Sequence, residues 1–260
     1  MKSLQRAQEG AVCTLTLNRP QMRNAFDSGF IAELHEAIKE VSVDPSVRVV
    51  VLAAQGEAFC AGADLNWMRS VADYTRDQNV TDANGLAGML HALYTCPKPT
   101  IARVQGDTYA GGMGLISACD VVVSVDTAHF CLSEVKLGLI PATISPYVVR
   151  AMGARAAHRY ALTAERFSAE QAHHIGLVHE VVNPQELDVQ VAAWVKAFLS
   201  ASPDALARCK RLLHDVAHEP ISPALIQMTA EAIAESRASD QGKEGVQAFL
   251  NKRKPSWIVS

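Results

Sequence analysis

The feature that most constrains the fold is a series of segments rich in β-forming residues. Residues 48–54 (RVVVLAA) are nearly continuous in Val, Leu and Ala, as expected of a strand buried on both faces. Residues 11–17 (AVCTLTL) instead alternate, which also predicts a strand. Further strands are predicted at 100–106, 121–125, 129–132 and 177–182. Since helical patterns lie between and after these strands, we expect an α/β fold.

Helices are predicted between the strands and over most of the last third of the chain. Asp27 is expected to cap a helix whose apolar positions keep a helical period as far as Val41. The stretch 66–97 is predicted to be mostly helical, with a mobile loop at the polar residues 73–84. The helices of about 203–250 are expected to form a separate lobe or to reach onto a neighbouring subunit.

Composition excludes several classes of protein. With 260 residues, 49% of them hydrophobic, the chain suits one large α/β domain or one domain with a small appendage. Its net charge of −3 argues against binding to nucleic acid or to an anionic membrane. No apolar run reaches the roughly 18 residues of a membrane-spanning helix, and the first ten residues lack the apolar core of a secretion signal. Six irregularly spaced cysteines indicate reduced thiols, so a cytoplasmic location is expected.

Two loops of small residues are candidates for ligand binding. Residues 61–64 (AGAD) and 110–114 (AGGMG) each follow a predicted strand and precede a predicted helix. The first N–H groups of a helix are unpaired, and small residues let a ligand approach them closely. Two such groups aimed at one oxygen would form an oxyanion hole; the alternative is that both loops are only tight connections. A dinucleotide site is not indicated, because Ser117 stands where its third glycine would be.

Glu134 is a candidate acid–base group because it lies among the apolar residues of 130–141 (FCLSEVKLGLIP). Apolar surroundings destabilise the charged form of a carboxyl group and raise its pKa toward the range useful for proton transfer. The alternative is that Ser133 and Glu134 only open a helical turn.

The other polar motifs give weaker signals. His214 and His218 are four residues apart, but the glutamate of a zinc-binding HExxH motif is missing, so we predict a solvated helix face and no metal site. There is no Gly-x-Ser-x-Gly motif of a serine hydrolase. Basic residues that could meet phosphates, or form only a solvated tail, are Arg23, Lys243, Lys252, Arg253 and Lys254.

Taken together, five ordered motifs resemble those of the enoyl-CoA hydratase/isomerase (crotonase) superfamily over nearly the whole chain. They are LNRPQMRNAF (17–26), AFCAGADL (58–65), KPTIARVQGDTYAGGMGL (98–115), ACDVVVSVDTAHFCLSEVKLGLIP (118–141) and FLNKRKPSW (249–257). The resemblance implies a right-handed spiral of ββα units over residues 1–200. It also implies a C-terminal helical region over 201–260 that takes part in trimerisation, and such trimers commonly pair into hexamers.

The resemblance also implies an acyl-CoA thioester substrate, with coenzyme A as part of the substrate and no separate cofactor. Its carbonyl oxygen would be held by the backbone N–H groups of Ala63 and Gly111. Arg23 and Ala25 match the motif that lines the nucleotide, and Phe249 and Lys252 match positions that close over the adenine and phosphate, often from a neighbouring subunit. The residues implied near the adenine and pantetheine are Cys60, Ala61, Gly62, Asp64 and Leu65.

The chain departs from the two-glutamate hydratases of this superfamily at Gly114. Those enzymes have one glutamate at this position and a second at the position of Glu134. With one carboxylate, either Glu134 does both jobs in turn or another group positions the water. We expect Glu134 to activate the water and then to supply the proton, with solvent or a substrate carboxylate in the space left by Gly114. Residues 130–149 resemble the bacterial branch that hydrates 3-substituted glutaconyl-CoA thioesters, either 3-methylglutaconyl-CoA of leucine breakdown or isohexenylglutaconyl-CoA of acyclic terpene breakdown.

Two other functions are compatible with the same motifs. One glutamate is enough to move a double bond between Δ3 and Δ2 of an enoyl-CoA, so an isomerase is the first alternative. The second alternative is an acyl-CoA-binding or scaffold protein without catalytic activity.

Overall fold

A central sheet of six strands organises the computed structural model, which describes residues 3–258. The sheet has the order β1-β2-β3-β4-β6-β9, in which β1 and β2 are antiparallel and the remaining neighbours are parallel. Its strands are β1 (Leu4–Glu9), β2 (Val12–Leu17), β3 (Val49–Ala54), β4 (Thr100–Val104), β6 (Val121–Val125) and β9 (Glu180–Val182). All six residues of β3 are buried, which confirms the prediction of a strand covered on both faces.

A smaller sheet joins β5 (Thr108–Tyr109), β7 (His129–Cys131) and β8 (Phe167–Ser168). Its parallel pairing sets Tyr109 beside Cys131. This pairing brings the segment that leads into the second small-residue loop next to the segment that leads to Glu134.

Ten helices surround the two sheets in the described chain. They are α1 (Ser28–Val43), α2 (Leu65–Val71), α3 (Arg76–Tyr94), α4 (Gly111–Ser117), α5 (Ser145–Thr163), α6 (Ala169–His174), α7 (Leu187–Ser200), α8 (Pro203–Val216), α9 (Pro223–Ala238) and α10 (Asp240–Leu250). Asp27 caps α1 as predicted, since its carboxylate accepts a hydrogen bond from the Phe30 N–H. The mixed strands and helices confirm the expected α/β class.

Two local predictions were wrong. Residues 76–84 form the first turns of α3 and not a mobile loop, because Thr75 and Gln78 make a reciprocal capping box and the helix packs against α1. The strand predicted at 177–182 is restricted to Glu180–Val182, while Leu177 and Val178 are buried in the connection before it.

The C-terminal helices α8, α9 and α10 bury few of their own side chains. Within them only Ala248 is buried, and their exposed apolar residues include Leu213, Ile226, Ile233, Val246, Phe249 and Leu250. Arg48 ties this region to the sheet by donating hydrogen bonds to the carbonyls of Leu199, Ala201 and Trp257. The domain boundary at residue 200 stays a prediction. In the range 3–258, no helix has both the length and the apolar character needed to cross a membrane.

Candidate active site

The first small-residue loop is fixed by backbone hydrogen bonds to the segment that precedes α1. The Phe26 N–H donates to the Gly62 carbonyl at 2.7 Å, and the Asp64 N–H donates to the Phe26 carbonyl at 2.8 Å. The Ala61 N–H donates to the Arg23 carbonyl at 2.9 Å. These bonds leave Ala63, which pairs with Phe26 as an isolated bridge, at the exposed end of the loop.

Two polar side chains that the sequence analysis did not single out hold this segment in place. Asn24 is fully buried and donates to the carbonyls of Gln55 and Ala58. The Arg19 guanidinium binds Asp27 at 2.9 Å and Asp64 at 2.8 Å. Asn24 has a positive φ of 55°, a conformation that asparagine tolerates better than most residues. A single sequence shows that Asn24 and Arg19 are polar, but not that they are buried and bonded.

The second loop lies directly against the first. The Tyr109 N–H donates to the Cys60 carbonyl at 2.8 Å, and the Ala110 N–H donates to the Cys131 carbonyl at 2.9 Å. A Cβ placed on Gly62 would lie 2.8 Å from the Ala110 Cβ and 3.7 Å from the Gly111 nitrogen. The structure thus brings together the two loops that the sequence proposed as partners.

Ala63 and Gly111 each present an unpaired backbone donor. Neither N–H has a hydrogen-bond partner in the part of the chain that the structure describes. Gly111 is the first residue of α4, so the partial positive charge of the helix N-terminus adds to its N–H. A Cβ on Gly111 would lie 2.7 Å from the Phe26 ring, which explains why glycine stands here. Two free amides in touching loops can stabilise an oxygen that gains negative charge.

Glu134 enters the same region from β7. It lies three residues after Cys131, whose carbonyl bonds the Ala110 N–H, and it begins a short 3-10 turn, Glu134–Leu137. Its Oε2 is buried and has no hydrogen-bond partner within residues 3–258, and burial raises the pKa of the carboxyl group. Ser133 makes no side-chain capping bond at the start of this turn. The carboxyl group therefore has the environment expected of a proton-transfer group.

The space over Gly114 is occupied by apolar side chains. A Cβ built on Gly114 would overlap Ile144, with the Ile144 Cβ at 2.8 Å, and would lie 3.4 Å from the Leu90 Cδ1. Ile144 and Leu90 are both buried. The expectation of solvent or a substrate carboxylate at this position was therefore wrong, because an isoleucine fills the volume that a second glutamate would need.

The residues implied near coenzyme A divide into structural and accessible ones. Cys60 is buried and its Sγ donates to the Asn24 carbonyl; burial raises the pKa of this thiol to about 12. The Asp64 carboxylate caps α2 and binds Arg19, so its side chain is already engaged. Ala25 is buried, whereas Arg23 and Leu65 are exposed beside the loop. Arg23 is thus available for a phosphate.

Phe249 and Lys252 lie elsewhere in the chain. Phe249 is 83% exposed on α10, and Lys252 follows that helix. The Trp257 carbonyl, in the tail after α10, accepts a hydrogen bond from Arg48, which directly precedes β3. The loop of Ala63 follows the other end of β3. A six-residue strand spans about 20 Å. Helix α10 packs against α8 and α9, and within residues 3–258 no hydrogen bond or ion pair joins Phe249 or Lys252 to the first loop.

Two adjoining loops with free amides and a carboxyl group whose pKa is raised by burial are features that oxyanion stabilisation and proton transfer require. A family model described as Enoyl-CoA hydratase/isomerase matches residues 7–259. The chain belongs to this family, and the expectation of a hydro-lyase type of enzyme is confirmed at that level.

Individual relatives agree with this assignment. A crystal structure of an enoyl-CoA hydratase from Shewanella pealeana is 43% identical, with a TM-score of 0.96 over 98% of this chain and 96% of that one. One from Mycobacterium smegmatis is 36% identical, with a TM-score of 0.93 over 99% of each chain. The mevalonyl-coenzyme A hydratase sidH of Aspergillus fumigatus is 34% identical over 96% of this chain and 92% of that one. The crotonase-type fold with a C-terminal helical region is thereby confirmed.

Ala110 offers a test of how the Gly111 donor is positioned. Its φ of 46° and ψ of −118° are strained for any residue with a Cβ. We expect Ala110→Gly to raise the free energy of unfolding by about 1 kcal/mol, because relief of strain exceeds the entropy gained by the unfolded chain. The peptide between residues 110 and 111 would also be less rigid. Its Gly111 N–H would then be held less well, so kcat should fall several-fold. Urea unfolding and steady-state kinetics measure both effects.

Ala164→Gly is the matched control for this change. Ala164 also has a positive φ, of 47°, but it is buried, caps α5 in the left-handed conformation and lies outside the two loops. It should gain stability with kcat unchanged. A loss of stability in Ala110→Gly would contradict the assigned strain.

Proposed function

We propose that this chain hydrates the 2,3 double bond of an enoyl-CoA thioester with Glu134 as its single catalytic acid–base residue. The observation that carries the proposal is the buried carboxyl group of Glu134 next to the loop of Gly111. Residue 114, where a second acid would stand, is a glycine covered by Ile144. In this reaction the Glu134 carboxylate takes a proton from water as the water oxygen bonds to C3. The electron pair of the double bond moves to an enolate, whose oxygen the Ala63 and Gly111 amides stabilise. The protonated Glu134 then delivers its proton to C2, so one water is added in total.

We extend the proposal to a 3-substituted glutaconyl-CoA as substrate, with either a methyl or an isohexenyl substituent. The resemblance of residues 130–149 to that branch supports it. So does the similarity to a protein named as a hydratase of mevalonyl-CoA, whose acyl group is also branched at C3. The exposed side chains of Leu137, Leu139 and Ile140, which follow Glu134, offer apolar surface for such a branch.

The proposal includes a homo-oligomer, a trimer or a pair of trimers. The exposed apolar side chains of α9 and α10 are of the kind that subunits bury. A neighbouring subunit would then bring its Phe249 and Lys252 to this chain's coenzyme A, with Arg23 and Ala61 on the near side. A cytoplasmic location is proposed as well, since every cysteine is a free thiol.

A direct assay tests the reaction. The protein is incubated with 3-methylglutaconyl-CoA, with crotonyl-CoA and with a 3-enoyl-CoA, and the absorbance of the conjugated thioester is followed. We expect absorbance to be lost, with the highest kcat/KM for the glutaconyl thioester. Appearance of conjugated absorbance from the 3-enoyl-CoA alone would establish the isomerase, which one glutamate also permits. Tight binding without any change in absorbance would establish the non-catalytic alternative.

A further inference from the structure

A cavity of about 500 Å³ lies between the end of α3, the start of α5 and helix α8. It shares no residue with the two small-residue loops. Its lining includes five basic side chains and one carboxylate: His91, Arg150, Lys210, Arg211, His214 and Asp215.

Aromatic rings form the apolar part of this cavity. The rings of Tyr94 and Tyr147 are 5.2 Å apart, and the His214 ring stacks on Tyr94 at 4.0 Å with only 8° between the planes. The prediction of a solvated helix face was therefore wrong for His214, which packs on an aromatic ring, whereas His218 is exposed but lies beyond the end of α8. The cavity thus combines a flat apolar surface with a basic rim.

The two arginines of the cavity have no carboxylate partner within residues 3–258. The Arg150 side chain donates only to the Pro146 carbonyl, and the Arg211 side chain makes no hydrogen bond or ion pair within the described chain. Lys210, in contrast, is already paired with Asp120 at 2.7 Å. A guanidinium group presents a planar set of donors that fits the two oxygens of a carboxylate or phosphate. The positive charge at this rim is therefore available to an anion.

An adjoining cavity of about 340 Å³ adds further polar groups, among them Asp120, which is paired with Lys210, and Ser117. It shares Tyr94, Arg150 and His214 with the first cavity, and its wall contains Ser117. Ser117 is only 8% exposed, and its Oγ has no hydrogen-bond partner in the described chain. A buried hydroxyl group without a partner favours a ligand or a ligand-bound water that completes its bonding.

Neither Gly114 nor Glu134 lines this cavity. Leu90 and Ile144 cover Gly114, and Tyr94 and Tyr147 lie one helical turn further along the same two helices. One turn is about 5.4 Å. The aromatic surface is thus offset by about one helical turn from the residues that cover Gly114.

We propose that this cavity binds a small molecule with a carboxylate or phosphate group, held by Arg150 and Arg211 above the rings of Tyr94 and Tyr147. The anion has two candidate sources with the same chemistry. One is a separate soluble metabolite, and the other is a distal carboxylate of the acyl group that reaches past Ile144. Because neither Gly114 nor Glu134 lines the cavity, the separate molecule is favoured.

Calorimetric titration of the full-length protein with inorganic phosphate and with glutarate tests the proposal without requiring turnover, so its failure is independent of the proposed reaction. We expect saturable binding that weakens at least about tenfold in Arg150→Gln/Arg211→Gln, the effect of losing a charge-assisted hydrogen bond. The matched control Arg155→Gln/Arg237→Gln removes two exposed arginines outside the cavity. It should bind as the wild type does. Thermal unfolding confirms that both variants are folded.

Absence of binding to the wild type, or equal weakening in both double variants, would overturn the anion site. The source is then decided by competition with two saturated thioesters, glutaryl-CoA and butyryl-CoA. Phosphate binding that persists with both thioesters supports a separate molecule. Displacement by glutaryl-CoA alone supports the distal carboxylate at the same two arginines.

Discussion

Replacing Glu134 with glutamine is expected to lower kcat for hydration at least about a hundredfold, the contribution of a positioned acid–base group. The amide has the shape of the carboxyl group but can neither take the proton from water nor return it to C2. Binding of a saturated acyl-CoA should change little, since Ala63 and Gly111 are untouched. Steady-state kinetics together with calorimetric binding of butyryl-CoA separate the two effects.

The same substitution has a pH signature. Burial raises the pKa of Glu134, so the acidic limb of the kcat/KM profile should lie above the ordinary range of a glutamate and be absent from the variant. A carboxyl group with a higher pKa in the folded chain than in the unfolded chain makes its ionised form destabilising. At neutral pH, Glu134→Gln should therefore unfold at higher urea concentration than the wild type. The difference in stability between the variant and the wild type should become smaller as the pH falls from the folded-state pKa of Glu134 to the pKa of a glutamate in the unfolded chain.

Glu219→Gln is the control for loss of one negative charge, because Glu219 is exposed in the connection after α8. It should leave kcat and the pH profile unchanged. If Glu134→Gln retained wild-type kcat with the fold intact, Glu134 would not be the proton-transfer group.

Replacing Gly62 with alanine is expected to lower kcat/KM at least about a hundredfold, the effect of losing one oxyanion donor. The new methyl group would lie 2.8 Å from the Ala110 Cβ, at a φ of 92° that suits only glycine. Relief of this overlap must separate the two loops, and with them the Ala63 and Gly111 amides. Kinetics with the hydratable thioester measure the loss.

Gly10→Ala provides the matched control for backbone strain. Gly10 also has a positive φ, of 56°, but nothing lies within 4 Å of the position of its Cβ. It should lose about 1–2 kcal/mol of stability with kcat/KM unchanged. Wild-type kinetics in a folded Gly62→Ala variant would show that the contact between the loops does not position the amides.

The parts of the fold that follow from local patterns could be predicted from the sequence. The run of Val, Leu and Ala at 48–54 gave a buried strand, and the helix after Asp27 formed with its expected cap. β1 was not predicted, because Leu4 is its only buried residue and no alternation reveals it. The first turns of α3 were missed since their stability comes from a capping box and from contacts with α1, which polarity alone does not show.

The site was predictable in its backbone and unpredictable in its packing. Glycine and alanine at the two loops mark close approach of the chain, so their pairing could be inferred. The contacts of Arg19, Asn24 and Ile144 join segments distant in the sequence, and one sequence does not say which distant segments meet. This is why the occupant of the space over Gly114 was predicted wrongly.

The contact of Ile144 with Gly114 makes the two positions epistatic. A glutamate introduced at Gly114 alone has no room, since its Cβ would already overlap Ile144. Shortening Ile144 alone leaves a buried void that costs about 2–5 kcal/mol. Whichever substitution comes first, a path between one-acid and two-acid sites therefore passes through an impaired intermediate. A one-acid site, once formed, is thereby preserved.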